Sequence, residues 1–189
     1  MEEKKFDLEE YLTAGAENIV KNAMRAALGN PRESAFLAQY ALAAGKAAKR
    51  RRQEEKRGGH VPPFLIASIT SSCNLHCRGC YARANGACGD GEEGRQLGDE
   101  AWQKIFCEAR EMGVGFILLA GGEPLLRRGV IERAGKIKEI IFPIFTNGTM
   151  IDGAYEELFD ANRNLLPILS MEGTAKRTDD RRGEGVYRL

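Results

Sequence analysis

The chain of 189 residues carries almost no net charge, +1 from 28 basic and 27 acidic side chains, so it has no general attraction to polyanions. It has no run approaching the roughly 20 apolar residues of a membrane span. Its amino terminus, Met1-Glu-Glu-Lys-Lys, lacks the unbroken apolar segment of a secretory signal. A soluble, cytoplasmic chain with no membrane partner is expected. There is no internal repeat and no second C-x2-C pair, and the absence of C-x2-C-H excludes c-type haem attachment. What remains is the make-up of a soluble globular protein, 43% hydrophobic and 29% charged, long enough for one domain with a real core and an appended segment.

Against that ordinary background three of the five cysteines, Cys73, Cys77 and Cys80, crowd into one short loop with C-x3-C-x2-C spacing. In a reducing compartment clustered thiols bind metal more readily than they form disulfides. Soft sulfur ligands select zinc, copper(I) or iron–sulfur clusters, and three of them leave one position open on a four-site centre. A closed zinc site needs four ligands, so zinc would have to recruit Cys88 or His76. Cys88 itself reads as an exposed loop thiol and Cys107 as a residue packed within a helix.

Before the cysteines, the pattern is helical. Asp7 caps a first helix with Glu10 at its third position and Phe6 against Tyr11 as a staple, and Gly29 stops it. Asn30-Pro31 restarts the pattern as a second helix from Pro31 to about Lys56, ending in the basic run 49–57. That run is broken by Glu54 and Glu55 and has no interleaved aromatics, so it reads as a solvated helix end, and no nucleic-acid partner is expected. Gly58-Gly59-His60-Val61-Pro62-Pro63 breaks the helix and places a boundary between an N-terminal helical segment, 1–60, and a core domain, 61–189.

In the core, short apolar runs alternate with helical patterns. Strands are predicted over 64–70, 116–120, 140–146 and 165–170. Helices are predicted through Trp102, Ile105, Phe106, Ala109 and Met112 up to Gly113, then from Arg127 to Lys138 and from Tyr155 to Ala161. Residues 85–98 read as an exposed glycine-rich, acidic loop. The alternation predicts an α/β fold of parallel strands with right-handed crossovers. Ligands in such folds gather at the C-terminal strand ends. Here the ends carry the three cysteines, then Gly121-Gly122-Glu123-Pro124, then Thr146-Asn147-Gly148, then Ser170-Met171-Glu172-Gly173, which together make one composite site. Gly121 and Gly122 let backbone approach a ligand closely, Glu123 offers a carboxylate to an ammonium group, Pro124 stiffens the turn, and Ser170 and Glu172 are suited to hydroxyl groups.

Taken together, these residues resemble the radical S-adenosylmethionine superfamily over 63–189. The branch they resemble contains molybdenum-cofactor cyclases and SPASM-type peptide-modifying enzymes. The resemblance implies that Cys73, Cys77 and Cys80 hold a [4Fe-4S] cluster whose fourth iron is chelated by S-adenosylmethionine. Gly121, Gly122, Glu123 and Pro124 match the GGEP motif that contacts the methionine amino group. Asn147 lies in a frequent third-strand ending, and Ser170 and Glu172 fall near the methionine carboxylate and ribose. The implied chemistry is reductive cleavage to a 5′-deoxyadenosyl radical that takes hydrogen from a peptide or small-molecule substrate, with flavodoxin or ferredoxin as electron donor.

Two features depart from the family pattern. Gly79 stands before the last cysteine where an aromatic is usual, with Tyr81 just after it. About four of the six strand–helix units of the family's partial (β/α) barrel are present, so the sequence is expected to end mid-domain, in a stretch 179–187 that resembles the loop after the fourth strand. A fourth strand left as an unpaired edge would invite pairing with a partner. Three functions follow: a radical enzyme, a cluster-binding but inactive module completed by a partner, and a zinc-stabilised interaction protein.

Overall fold

The computed structural model describes residues 29–90 and 96–188. The first helix, with its cap at Asp7, lies outside the described residues. Two compact units divide the chain, Met1–Gln39 and Tyr40–Leu189. Helix α1 spans Pro31–Lys56, started by the Asn30 side chain, which accepts from the Arg32 N–H at 2.9 Å. Its residues from Tyr40 onward lie against the end of a later helix. The Tyr40 hydroxyl donates to Gly115 O at 3.0 Å, and Arg50 and Arg51 donate to the carbonyls of Arg110 and Gly113. Among the described residues no helix is long and apolar enough to cross a membrane.

Four strands follow, β1 Phe64–Thr70, β2 Phe116–Gly121, β3 Phe142–Thr146 and β4 Leu165–Leu169, all parallel and in the order β1-β2-β3-β4. Between them run α2 Tyr81–Ala84, α3 Asp99–Met112, a 3-10 turn Pro124–Arg127 leading into α4 Arg128–Gly135, and α5 Gly153–Ala161. After β4 come α6 Ala175–Arg182 and a 3-10 turn Val186–Arg188. This is the α/β, strand–helix alternation of a partial (β/α) barrel.

Local chemistry sets these boundaries. Gly113 closes α3 in the left-handed region at φ 99°. Asp152 caps α5 by accepting from Tyr155 N, and Thr174 caps α6 by accepting from Arg177 N. That second cap corrects one expectation: most of the segment 179–187, read as loop, belongs to α6 and the turn after it. Pro143 has no N–H to donate, and the β2–β3 ladder is correspondingly thin, a single pair of Leu119 with Ile144 plus an isolated bridge of Phe116 with Ile141.

One face of the sheet packs on helices. Ile117, Leu119, Phe142, Ile144 and Leu165 join Phe106 and Ala109 of α3, Val130 and Ile131 of α4 and Tyr155 of α5 in one buried cluster. Ile105 and Met112, two of the apolar residues that mark α3 in the sequence, are exposed. Residues one position along the strands point the other way, and that face is open: Phe64, Ile66, Phe145 and Ile168 are 52, 64, 49 and 44% exposed.

Candidate functional site

All four distinctive strand endings lie at one end of the parallel sheet, and a chain of hydrogen bonds joins them. The cysteine loop leaves β1 and is held from below by backbone. Ser72 bridges Gly89, Cys73 N donates to Gly89 O at 3.1 Å, and Gly89 N donates to Ser71 O at 2.8 Å. Inside the loop Cys80 N donates to Cys77 O at 3.2 Å, and Arg83 reaches back from α2 to the carbonyls of Leu75 (3.1 Å) and Cys73 (3.2 Å). Arg83 also pairs with Asp90, which accepts from His76 at 2.8 Å. The His76 bond first, and Arg83 second, hold the Asp90 carboxyl below the ordinary carboxylate range.

Gly79 sits at φ 71°, a left-handed conformation in which a side chain is strained. The backbone of this loop therefore explains why no aromatic stands before Cys80; Tyr81 opens α2 with its ring exposed. Cys73, Cys77 and Cys80 are each partly exposed. Burial pushes the Cys73 thiol up, against a backbone hydrogen bond from Leu75, and Cys77 and Cys88 add to the rise through their charge. Among the described residues no three metal-binding side chains converge as the ligands of one ion do. A cluster takes one thiolate per iron and needs no such convergence. Three adjacent, accessible thiols on a backbone-braced loop fit it as a donor set.

The Gly121-Gly122 turn crosses directly over the stem of this loop. Gly122 N donates to Thr70 O at 3.0 Å and Glu123 N to Ser72 O at 2.8 Å. A Cβ on Gly121 would meet Thr70 O at 2.3 Å, and one on Gly122 would meet Ser72 O at 2.1 Å. Both glycines are thus required by the approach of protein backbone, before any ligand is considered. Glu123 differs from expectation more sharply. It is 1% exposed. Its Oε1 accepts from Leu125 N (3.0 Å) and the Thr146 hydroxyl (2.7 Å), and its Oε2 accepts from Asn147 N (2.8 Å). The carboxylate expected to face an ammonium group is turned into protein, where it ties the end of β2 to the end of β3. Pro124, at the first position of the 3-10 turn, is buried beside it.

Asn147 carries the connection onward. Its Nδ2 donates to Asn74 Oδ1 at 2.9 Å, inside the cysteine loop, while Asn74 Nδ2 donates to the Thr149 hydroxyl at 2.8 Å. Ser170 N donates to Thr146 O at 2.9 Å and extends the tie to the end of β4. Asn147 and Ser170 both line a cavity of about 270 Å³ with Met171, Thr178, Arg182 and Tyr187. Glu172 is held by two arginines, Arg182 at 2.7 Å and Arg181 at 3.2 Å. The Arg182 hydrogen bond, chiefly, keeps its carboxyl below the ordinary range. Arg78 N donates to Arg181 O at 2.7 Å, so α6 also reaches the cysteine loop.

Several of these residues escaped the sequence reading. Asn74, Arg83, Arg127 and Arg182 make contacts with partners eight or more residues away in sequence. Arg127 alone bonds Ile69 O, Gln96, Leu97 O and Asp99. Cys88 is a further correction: expected in an exposed loop, it is buried, because the pairing of Gly89 with Ser72 draws it under the cysteine loop.

A family model described as the Radical SAM superfamily matches residues 67–188. The chain is 36% identical over 115 residues to a probable GTP 3′,8-cyclase of Methanothermobacter thermautotrophicus, covering 59% of this chain and 36% of that protein. It is 31% identical over 124 residues to the Fe-coproporphyrin III synthase of Methanosarcina barkeri, covering 64% of this chain and 30% of that protein. Among solved structures, SuiB of Streptococcus suis bound to S-adenosylmethionine superposes with a TM-score of 0.58 at 21% identity, over 76% of this chain and 33% of that one. The likeness to SuiB is one of fold. The chain spans about a third of the length of the relatives it matches.

Proposed function

Because this chain belongs to the radical SAM superfamily, we propose that it holds the family's cofactors, a [4Fe-4S] cluster and S-adenosylmethionine, at the joined C-terminal ends of its four strands. When bound, these cofactors supply a 5′-deoxyadenosyl radical that takes hydrogen from a substrate. The observation that carries the reading is the hydrogen-bonded chain from the cysteine loop through Gly122, Glu123, Thr146 and Asn147 to Ser170. This joining of the four strand ends on one rim supports the reading.

Cys73, Cys77 and Cys80 would hold the cluster and leave one iron open. The backbone of Gly121 and Gly122 would border the methionine amino group. Glu123 and Pro124 shape that turn, and Glu123 acts as a positioning residue, since its oxygens are already engaged. Asn147 and Ser170 would meet the cofactor from the cavity they share. Glu172 reaches it through Arg182, which lines the same cavity. The substrate class is a peptide or a small molecule and the electron donor a flavodoxin or ferredoxin. The compartment is the cytoplasm, and an N-terminal helical segment 1–60 precedes the core domain 61–189, its residues from Tyr40 onward packing on that core.

Anaerobic reconstitution with iron and sulfide tests the reading. Broad visible absorption is expected, lost on replacing Cys73, Cys77 or Cys80 by Ala. Stoichiometric zinc without that absorption would overturn the cluster. Addition of S-adenosylmethionine and dithionite should then release 5′-deoxyadenosine, from this chain or from one extended beyond Leu189; release from neither would leave a binding module.

A further inference from the structure

The rim of the cysteine loop carries cations that the cofactor reading does not use. Arg78 and Gly79, between Cys77 and Cys80, are exposed, and so is Tyr81, with 80% of its surface in solvent. Cys77 and Cys80 are themselves partly exposed, so whatever they hold lies close beneath this surface. The Arg78 N–H satisfies the C-terminal end of α6 by donating to Arg181 O at 2.7 Å. That bond lays α6 against the loop and brings Arg181 beside Arg78. Arg177, four residues earlier, falls on the same face of α6, about 6 Å further along its axis. Arg181 is shared with Glu172 at 3.2 Å, whereas Arg78 and Arg177 make no ion pair among the described residues. Lys176 and Asp180, exposed on the same helix, cancel in charge.

We propose that Arg78, Tyr81, Arg177 and Arg181 form the docking surface for the electron donor, and that this donor is an acidic one-electron carrier protein. The inference rests on the cluster reading above. Composition favours it: exposed arginines and an exposed tyrosine are the residues that interfaces enrich, and unpaired cations fit a partner of opposite charge. Position favours it as well, because an electron has the shortest way to the cluster through the loop that holds it. The basic run 49–57 carries more charge but lies at the other end of the sheet. Arg50 and Arg51 bond the carbonyls of Arg110 and Gly113 there, and β1, seven residues and roughly 23 Å long, separates that end from Cys73. In the step served by this surface the carrier is oxidised by one electron and the cluster reduced by one. No bond forms between them.

Flavodoxin, an acidic carrier, serves as the probe in its fully reduced form, and stopped-flow oxidation of its flavin on anaerobic mixing with the reconstituted chain is the readout. The rate with the parent chain should fall steeply with added salt. Arg78→Glu and Arg177→Glu together should slow it roughly tenfold or more and flatten the salt dependence. Dithionite, which needs no docking, should still reduce the cluster of that variant fully. Arg177→Glu alone lies outside the cysteine loop and should slow the reaction severalfold, so the test stands even where the double variant assembles no cluster. An unchanged flavodoxin rate in the variants, as expected if the surface served an acidic peptide instead, overturns the proposal and leaves the cluster standing. So does a parent chain that dithionite reduces and flavodoxin does not. Failure of the parent to assemble any cluster overturns both readings.

Discussion

On one face of the sheet Ile117, Leu119, Phe142 and Ile144 are closed off by α3, α4 and α5. On the other, Phe64 and Ile66 of β1, Phe145 of β3 and Ile168 of β4 stay largely exposed. The side chains on the two faces are of the same kind. Parallel strands with both faces buried read as continuous apolar runs, where a single buried face would leave alternation. The composition of these strands therefore provides for two covers, and the helices supply one. A contiguous apolar surface of this sort marks a place where something binds or packs. The rim where the strand ends meet is built differently again, from polar groups that satisfy one another.

Matched substitutions on the two faces give the largest effect. Leu119→Ala removes a fully buried side chain and should cost about 3 kcal/mol, within the usual ~2–5 kcal/mol for such a truncation. Denaturant unfolding would measure it, and a loss below roughly 1 kcal/mol would break the contrast between the faces.

The rim comes next. Glu123→Gln keeps the shape but turns an amide N–H toward groups that already donate, from among Leu125 N, the Thr146 hydroxyl and Asn147 N. A loss of about 2 kcal/mol is expected, the size of one spoiled hydrogen bond to a buried carboxylate. The same variant should loosen the Asn147–Asn74 tie to the cysteine loop and weaken cofactor binding. Unchanged stability would mean that the strand ends are not joined as described.

Much of this was legible in residue order. Four apolar runs and the glycine and cap residues between them located the strands and most helices, because those signals are local. That the distinctive strand endings gather at one end of the sheet followed from the strand–helix alternation. Direction was not legible. A continuous apolar run does not say which of its residues face helices, and nothing near Glu123 in sequence says that its partners lie at Thr146 and Asn147. Cys88 was misread for the same reason: a glycine-rich neighbourhood looks exposed until the pairing of Gly89 with Ser72 is known. Contacts across distant parts of the chain decide what composition leaves open.

A smaller effect probes the helix side. Tyr155, buried in α5, donates its hydroxyl to Leu125 O. Tyr155→Phe should cost about 1 kcal/mol, leaving that carbonyl unpaired. Burial, chiefly, pushes the Tyr155 hydroxyl up to about 12. In the unfolded chain it ionises near its ordinary value of 10.0, so the unfolded state loses its proton first as pH rises. The stability that Tyr155 contributes is thus complete below pH 10 and is lost between 10 and 12. The Phe variant should unfold with a flatter alkaline limb, and parallel limbs would argue that the ring is not enclosed.

The smallest effect on stability falls on the open face and says most about it. Ile66→Ser exchanges an exposed branched side chain for a small polar one, and the free energy of unfolding should move by no more than about 0.5 kcal/mol. Its solution behaviour should change more: an apolar sheet face bordered, among the described residues, by the outer strands β1 and β4 favours self-association. Sedimentation of the Ser variant should show less oligomer than the parent at equal concentration. If Ile66→Ser costs as much as Leu119→Ala, then the face is already covered in solution, and the two sides of the sheet are alike after all.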